Sequence, residues 1–228
     1  DRNAPDTLRD TAQSAYDDSK ALLTRWHGTG RAHYAITPRF SPTSTPDQLE
    51  ALGALWAEHP DCLMQTHLSE QVDEIAWVRD LYPNARDYLD TYEAHGLLGA
   101  RGVYGHAIHM EPREVNRLAE VGAAVVHCPT SNTFIGSGLM DLAGLAARGL
   151  SVGLATAGSA RSLHLHDRIG TLAAGYDADI CVLDLASTPA IAQRAANVSD
   201  IWEAVFATIM MGDDRAVAQV WVNGRMVG

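Results

Sequence analysis

A histidine followed three residues later by a glutamate can hold a divalent metal and keep a proton carrier beside it. The segment Gln65-Thr66-His67-Leu68-Ser69-Glu70 has that spacing, and two stretches of similar character follow, Gly105-His106 and His127-Cys128-Pro129-Thr130-Ser131-Asn132. Each histidine closes a short apolar run: Cys62 to Met64 before His67, Val103-Tyr104 before His106, and Ala123 to Val126 before His127. A parallel barrel carries its polar residues in this way, because its chemistry gathers at the C-terminal face where strand ends converge. The chemistry that fits is metal-assisted attack by water.

The surrounding sequence supplies elements that could hold those ends together. Pro5 to Trp26 has helical periodicity, with Leu8, Ala12, Ala15, Tyr16, Leu22, Leu23 and Trp26 on one face and Gly28 as a stop. Ala32 to Thr37 reads as a strand, and Pro46 opens a helix carrying Leu49, Leu52, Leu55 and Trp56. Cys62 to His67, Gly102 to His106, Gly122 to His127 and Leu150 to Leu154 read as further strands. Helices are expected over Val72 to Leu81, Asn84 to Ala94, from Pro112, and near Leu139 to Ala147. Such alternation implies a parallel α/β sheet. After Gly170 the texture turns to β-rich segments at Asp179 to Asp184 and Ala216 to Val222, with a helix near Val198 to Met210 between them. Asn223-Gly224 marks a hairpin.

Five barrel-type strands precede residue 155, whereas a closed (β/α)8 barrel has eight in about 250 residues. An open doubly wound sheet is the competing architecture, but no Gly-rich phosphate loop follows the first strand. The expected fold class is therefore α/β: a (β/α)8 barrel, incomplete over residues 1–166, with a small C-terminal β-sandwich domain over residues 167–228.

Composition narrows the partners. The 228 residues are 46% hydrophobic and 20% charged, which suits a globular fold, and the first helical segment follows no signal-peptide pattern. A net charge of −11 without a basic run repels phosphate backbones, so nucleic acid is not expected, and neither is a membrane. Three widely spaced cysteines, Cys62, Cys128 and Cys181, suit a reducing cytoplasm and argue against a disulfide framework or a zinc ribbon.

Taken in order, Thr37-Pro38-Arg39-Phe40, Gln65 to Glu70 and His127 to Asn132 resemble the guanine deaminases of the metal-dependent amidohydrolase superfamily. The spacer from Tyr88-Leu89-Asp90 to Gly96-Leu97-Leu98-Gly99 fits the same group. Asp167-Arg168-Ile169-Gly170, Ala178-Asp179 and Val222-Asn223-Gly224-Arg225 resemble the superfamily's C-terminal β-sandwich. The resemblance implies His67 as metal ligand and Glu70 as the shuttle that carries a proton from the attacking water to the purine ring and the leaving amine. It implies His106 as a hydrogen-bond partner of that water, and Arg39 and Phe40 as purine contacts beside His67 and Glu70. One divalent metal is implied, zinc or else iron, together with a purine substrate and a homodimer. The reaction implied is hydrolysis of guanine to xanthine and ammonia. The alternatives are deamination of another aminated heterocycle and an inactive remnant.

Two pieces of the family pattern are absent from the sequence: a His-x-His pair on a first strand, and an aspartate ending the last. Val152-Gly153-Leu154-Ala155-Thr156 reaches the place of that aspartate and continues as Ala157-Gly158-Ser159, which resembles a helix from further along the family pattern. His164-Leu165-His166 has the spacing of the missing pair, but it lies at the junction to the β-rich segment and not at a strand end. His127 could act in the chemistry or simply bond the loop after it. His27, His33, His59, His95 and His109 are expected to be solvated.

Overall fold

The computed structural model describes residues 2–153 and 156–227. Its first element, α1 (Ala12–Trp26), starts later than the periodicity predicts, because Thr11 caps it. The Thr11 hydroxyl accepts from the Ser14 N–H while Ser14 Oγ accepts from the Thr11 N–H, and Asp6–Leu8 forms only a 3-10 turn. β1 (Ala35–Ile36) is likewise short, since Ala32 is tied back to Gly28 and Thr29 in a turn. There follow α2 (Pro46–Glu58), β2 (Leu63–Leu68), α3 (Val72–Leu81), α4 (Tyr88–Glu93), β3 (Gly102–His106), α5 (Pro112–Glu120) and β4 (Ala124–Val126). α6 (Pro129–Phe134), which the periodicity does not reveal, α7 (Leu142–Ala147), β5 (Ser151–Gly153) and α8 (Thr156–Ser162) complete the first part. α4 begins at Tyr88 rather than Asn84 because the Asp87 carboxylate caps it through the Asp90 N–H. The expected end of β5 at Leu154, and Ala155 after it, lie outside the described residues.

The five strands form one sheet in the order β1-β2-β3-β4-β5, every neighbouring pair parallel. All their C-terminal ends therefore emerge on one edge. Along β2 the burial alternates: Met64, Thr66 and Leu68 are buried, whereas Gln65 and His67 face the more open side. The buried face packs with Tyr104 and Val125 against Leu49, Leu52 and Leu55 of α2, Leu89 and Tyr92 of α4, and Leu118 of α5. Among the described residues the sheet has two edges, β1 and β5, so the observed fold is an open five-stranded parallel sheet.

The β-rich remainder contains β6 (Ile180–Leu183), α9 (Pro189–Ala195), α10 (Ile201–Met211), β7 (Val217–Val222) and β8 (Arg225–Met226). The three strands pair antiparallel in the order β6-β7-β8, a single sheet where a sandwich was expected. Asn223 (φ 48°) and Gly224 (φ 74°) both take the left-handed conformation that a two-residue hairpin requires. No helix is long and apolar enough to cross a membrane among the described residues.

Arg31 clamps the two parts together. Its guanidinium donates to both Asp179 carboxylate oxygens, at 2.9 and 2.6 Å, and lies 3.4 Å from Asp177. Asp179 also accepts the Asn223 N–H at the hairpin. Arg31 first, and then that N–H, hold the Asp179 carboxyl at about 2. A carboxyl depressed in the folded state stabilises it above the unfolded value of about 4, and that contribution disappears as the pH falls through about 2. Asp179→Asn should therefore lower stability at neutral pH, with the gap to the parent closing between about pH 4 and pH 2 in denaturant unfolding. A gap that is constant across that range would exclude the clamp as its source.

Candidate active site

The sheet edge where β1 to β4 end gathers Arg39, Phe40, His67, Glu70 and His106. Thr37, Arg39, Gln65, His67, Gly105 and His106 line a cavity of about 220 Å³ there. Register explains part of this: His67 lies opposite Gly105, whose lack of a side chain leaves room over the imidazole.

Register alone would send His106 the wrong way. It pairs with Leu68 and follows Tyr104 by two, which puts it on the helix-covered face. Instead His106 takes φ 67°, a left-handed conformation that histidine tolerates better than most residues, and the ring swings round to stack on His67. The two ring centroids are 5.1 Å apart with planes 20° from parallel. Ser69 (φ 47°) and Ala107 (φ 46°) are left-handed too. Such residues cost roughly 1–3 kcal/mol each unless the surroundings hold them. Here the N–H of Ala107 donates to the Leu68 carbonyl, and those of Ile108 and His109 donate to the Ser69 carbonyl, locking the ends of β2 and β3 together. Ser69 Oγ donates to Glu114 (3.4 Å), whose buried carboxylate also accepts the N–H groups of Leu89 and Glu111. Burial pushes the Glu114 carboxyl up.

His67 Nδ1 lies 2.7 Å from the Arg39 carbonyl oxygen, which can only accept, so Nδ1 carries the hydrogen and Nε2 keeps its lone pair. Metal-ligating histidines are commonly held in this way by a backbone carbonyl on the other nitrogen. The donor chemistry at His67 thus fits a divalent metal bound through Nε2. The Phe40 ring is 5.6 Å from that of His67, and the Arg39 guanidinium lies 5.6 Å from the Phe40 ring centre. Tyr92, fully buried on α4, fixes this corner. Its hydroxyl donates to the His67 carbonyl (2.8 Å) and accepts from the Ser41 N–H and the Thr66 hydroxyl. Nothing in the sequence singled out Tyr92, because its role depends on α4 packing beneath β2.

Glu70 Oε1 is 3.0 Å from His106 Nδ1 and accepts from Ser137 Oγ at 3.4 Å. His106 Nδ1 also meets Asn132 Oδ1 at 2.7 Å. His127 lies one step back: its Nδ1 is 3.4 Å from Asn132 Nδ2, and burial, then His106, push its pKa below the usual histidine value. Its side-chain partner is thus Asn132 of α6, the helix that follows it.

The other histidines stand apart. His164 Nε2 donates to the Ala100 carbonyl, before the start of β3 and so at the opposite end of the sheet. His95 and His109, expected to be solvated, instead donate to the carbonyls of Thr91 and Ser137. His27, Asp61 and Cys62 form a group with metal-ligand chemistry, again at the N-terminal end of β2. Both ring nitrogens of His27 are engaged there: Nδ1 accepts the Tyr34 N–H and Nε2 donates to Asp61, each at 3.0 Å. Burial also pushes the Cys62 thiol up, so this group is closed by its own hydrogen bonds.

This arrangement of sheet and site has a family. The chain belongs to the amidohydrolase family, two models of which match residues 4–160 and 149–228. It is similar to guanine deaminase of Escherichia coli (strain K12), 39% identical over 265 aligned positions that take in the whole chain and 60% of the relative. The solved E. coli guanine deaminase superposes with a TM-score of 0.89, covering 100% of this chain and 62% of that one. A probable guanine deaminase of Deinococcus radiodurans is 46% identical over 156 residues, covering 68% of this chain and 36% of the relative. A crystal structure of guanine deaminase from C. acetobutylicum with guanine in its active site is 25% identical with a TM-score of 0.79, covering 100% of this chain and 63% of its own. The chain thus spans about three fifths of the E. coli relative it matches.

Proposed function

We propose that this chain carries the proton-transfer and purine-binding part of a guanine deaminase, which hydrolyses guanine to xanthine and ammonia. The observation that carries the reading is the strand-end set itself: His67 with its Nδ1–H bonded to the Arg39 carbonyl, His106 stacked on it, and Glu70 3.0 Å from His106. Names among the relatives support guanine as the ring, since the E. coli, D. radiodurans and C. acetobutylicum proteins are all called guanine deaminases.

His67 would hold the divalent metal, zinc or else iron, since an imidazole nitrogen suits both. When bound, such a metal brings the pKa of a coordinated water toward neutrality. His106 presents Nε2, the nitrogen that neither Asn132 nor Glu70 engages, as a hydrogen-bond acceptor that orients the attacking water. Glu70 takes the first proton of the water as its oxygen bonds the amino-bearing carbon and gives it to the ring nitrogen. It then takes the second proton, from the hydroxyl now on that carbon, and gives it to the amine, so that the C–N bond breaks and ammonia leaves. Arg39 offers a planar guanidinium to the purine edge, and Phe40 offers a ring face.

The domain reading stays with this proposal: residues 1–166 form part of a (β/α)8 barrel whose inner face is the open Gln65–His67 side, and residues 167–228 form part of a β-sandwich. A homodimer in the cytoplasm completes it, and three unpaired cysteines suit that compartment.

Metal-replete full-length protein should release one ammonia and one xanthine per guanine, and chelation should abolish both. Turnover of other aminated rings but never of guanine would overturn the substrate. Arg39→Ala should raise KM for guanine about 10–100-fold, the loss of a charged hydrogen bond worth about 1.5–3 kcal/mol, with kcat changed less. Unchanged KM would remove Arg39 from the purine contacts.

A further inference from the structure

Asn132 sits with no exposed surface in α6, between two imidazoles that belong to different strand ends. Its backbone is already satisfied, by the Cys128 carbonyl on one side and the Ser137 N–H on the other. Only the side-chain amide is left to act. Which way that amide faces follows from its neighbours. Asn132 Oδ1 is hydrogen-bonded to His106 Nδ1 at 2.7 Å, and the Glu70 carboxylate, an acceptor only, stands 3.0 Å from the same nitrogen and would repel it if it were bare. His106 Nδ1 must therefore carry the hydrogen, and Asn132 must turn its oxygen toward it. The amide NH2 then points at His127 Nδ1, 3.4 Å away, which must be bare.

We propose that Asn132 is a positioning residue that sets the tautomers of both His106 and His127, holding His106 as Nδ1–H and His127 as Nε2–H. Its catalytic meaning rests on the deaminase reading above. When Glu70 takes up a proton, its oxygen is a weaker acceptor for His106. Asn132 keeps the His106 hydrogen on Nδ1 at that moment, so Nε2 stays an acceptor for the attacking water through the whole shuttle. A carboxylate alone at Nδ1 would hold the tautomer only in one half of the cycle. His127 in turn anchors the far end of the amide, which stops it rotating.

Asn132→Asp tests this selectively, because it keeps the shape and the acceptor toward His106 but replaces the donor toward His127 by an acceptor. Long-range proton–nitrogen spectra of 15N-histidine-labelled holoprotein report which ring nitrogens bear hydrogen. In the parent, His106 Nδ1 is expected to be protonated and His127 Nδ1 bare. In Asn132→Asp, His127 Nδ1 should become protonated while His106 is unchanged. His27 and His95, which have their own partners, serve as internal controls that the fold is intact. Asn132→Leu should lower kcat about 10-fold or more at nearly constant KM, the usual loss when an outer partner of a reacting group is removed. A bare His106 Nδ1 in the parent, or a His127 that ignores Asn132→Asp, overturns the proposal. Tautomers that behave as expected in a protein that never deaminates guanine would leave Asn132 in place and overturn the substrate instead.

Discussion

Replacing Glu70 with Gln should lower guanine turnover by about 10²–10⁴-fold with KM little changed, the range that general acid–base groups contribute. The substitution preserves shape, and its carbonyl oxygen can still accept from Ser137 Oγ and stand beside His106 Nδ1, the two neighbours of the Glu70 carboxylate. What it removes is the carboxylate proposed to take a proton from water and hand it on. Thermal stability should therefore stay within about 0.5 kcal/mol of the parent, as for substitutions that disturb no packing. The comparison of kcat with stability in one purified variant decides the matter. If Glu70→Gln retains more than a tenth of the parent kcat, another group carries the proton and the shuttle assignment is wrong.

The second large effect is structural first and catalytic second. Tyr92→Phe deletes a hydroxyl that makes three hydrogen bonds in a fully buried position, and its burial pushes the phenol up to about 12, so it is a donor at any ordinary pH. The Ser41 N–H would be left buried without a partner, which costs about 1–3 kcal/mol, and two further bonds are lost at about 1 kcal/mol each. Thr66 can fall back on the Arg39 carbonyl at 3.3 Å, so the expected loss of unfolding free energy is about 2–4 kcal/mol. Because the same hydroxyl holds the His67 carbonyl and the loop that starts at Arg39, metal affinity should fall as well, by about 10–100-fold. Equilibrium unfolding and competitive chelation measure the two effects separately. A variant as stable as the parent with unaltered metal affinity would show that Tyr92 merely fills space.

The strand order and the clustering at one edge were legible in advance, since parallel strands of alternating or apolar pattern leave little freedom about where their ends go. Pro46 and Pro112 marked helix starts that the structure places at those same residues. What could not be read is equally specific. Strict alternation along β3 predicts the wrong face for His106, and only a left-handed φ that no residue type announces corrects it. Tyr92, Glu114 and Asn132 are 25 or more positions from at least one of the groups they hold, and no local pattern encodes a contact over that distance. α6 was hidden because Pro129 starts it directly after a strand end and it lasts only six residues. Thr11 and Asp87 moved helix starts that periodicity alone had placed too early, because a cap competes with the apolar pattern for the same boundary.

The sheet order runs in step with the sequence, so each strand docks beside the one made just before it. At about 5–20 residues per second the stretch from Arg39 to Asn132 is synthesised within roughly 5–20 s, and Arg39, Phe40, His67, Glu70, His106 and Asn132 are then all present. The Arg31–Asp179 pair joins residues 148 positions apart and can close only much later. A chain made only as far as residue 132 would thus hold every lining residue of the strand-end pocket while Asp179, which Arg31 grips, has yet to be made.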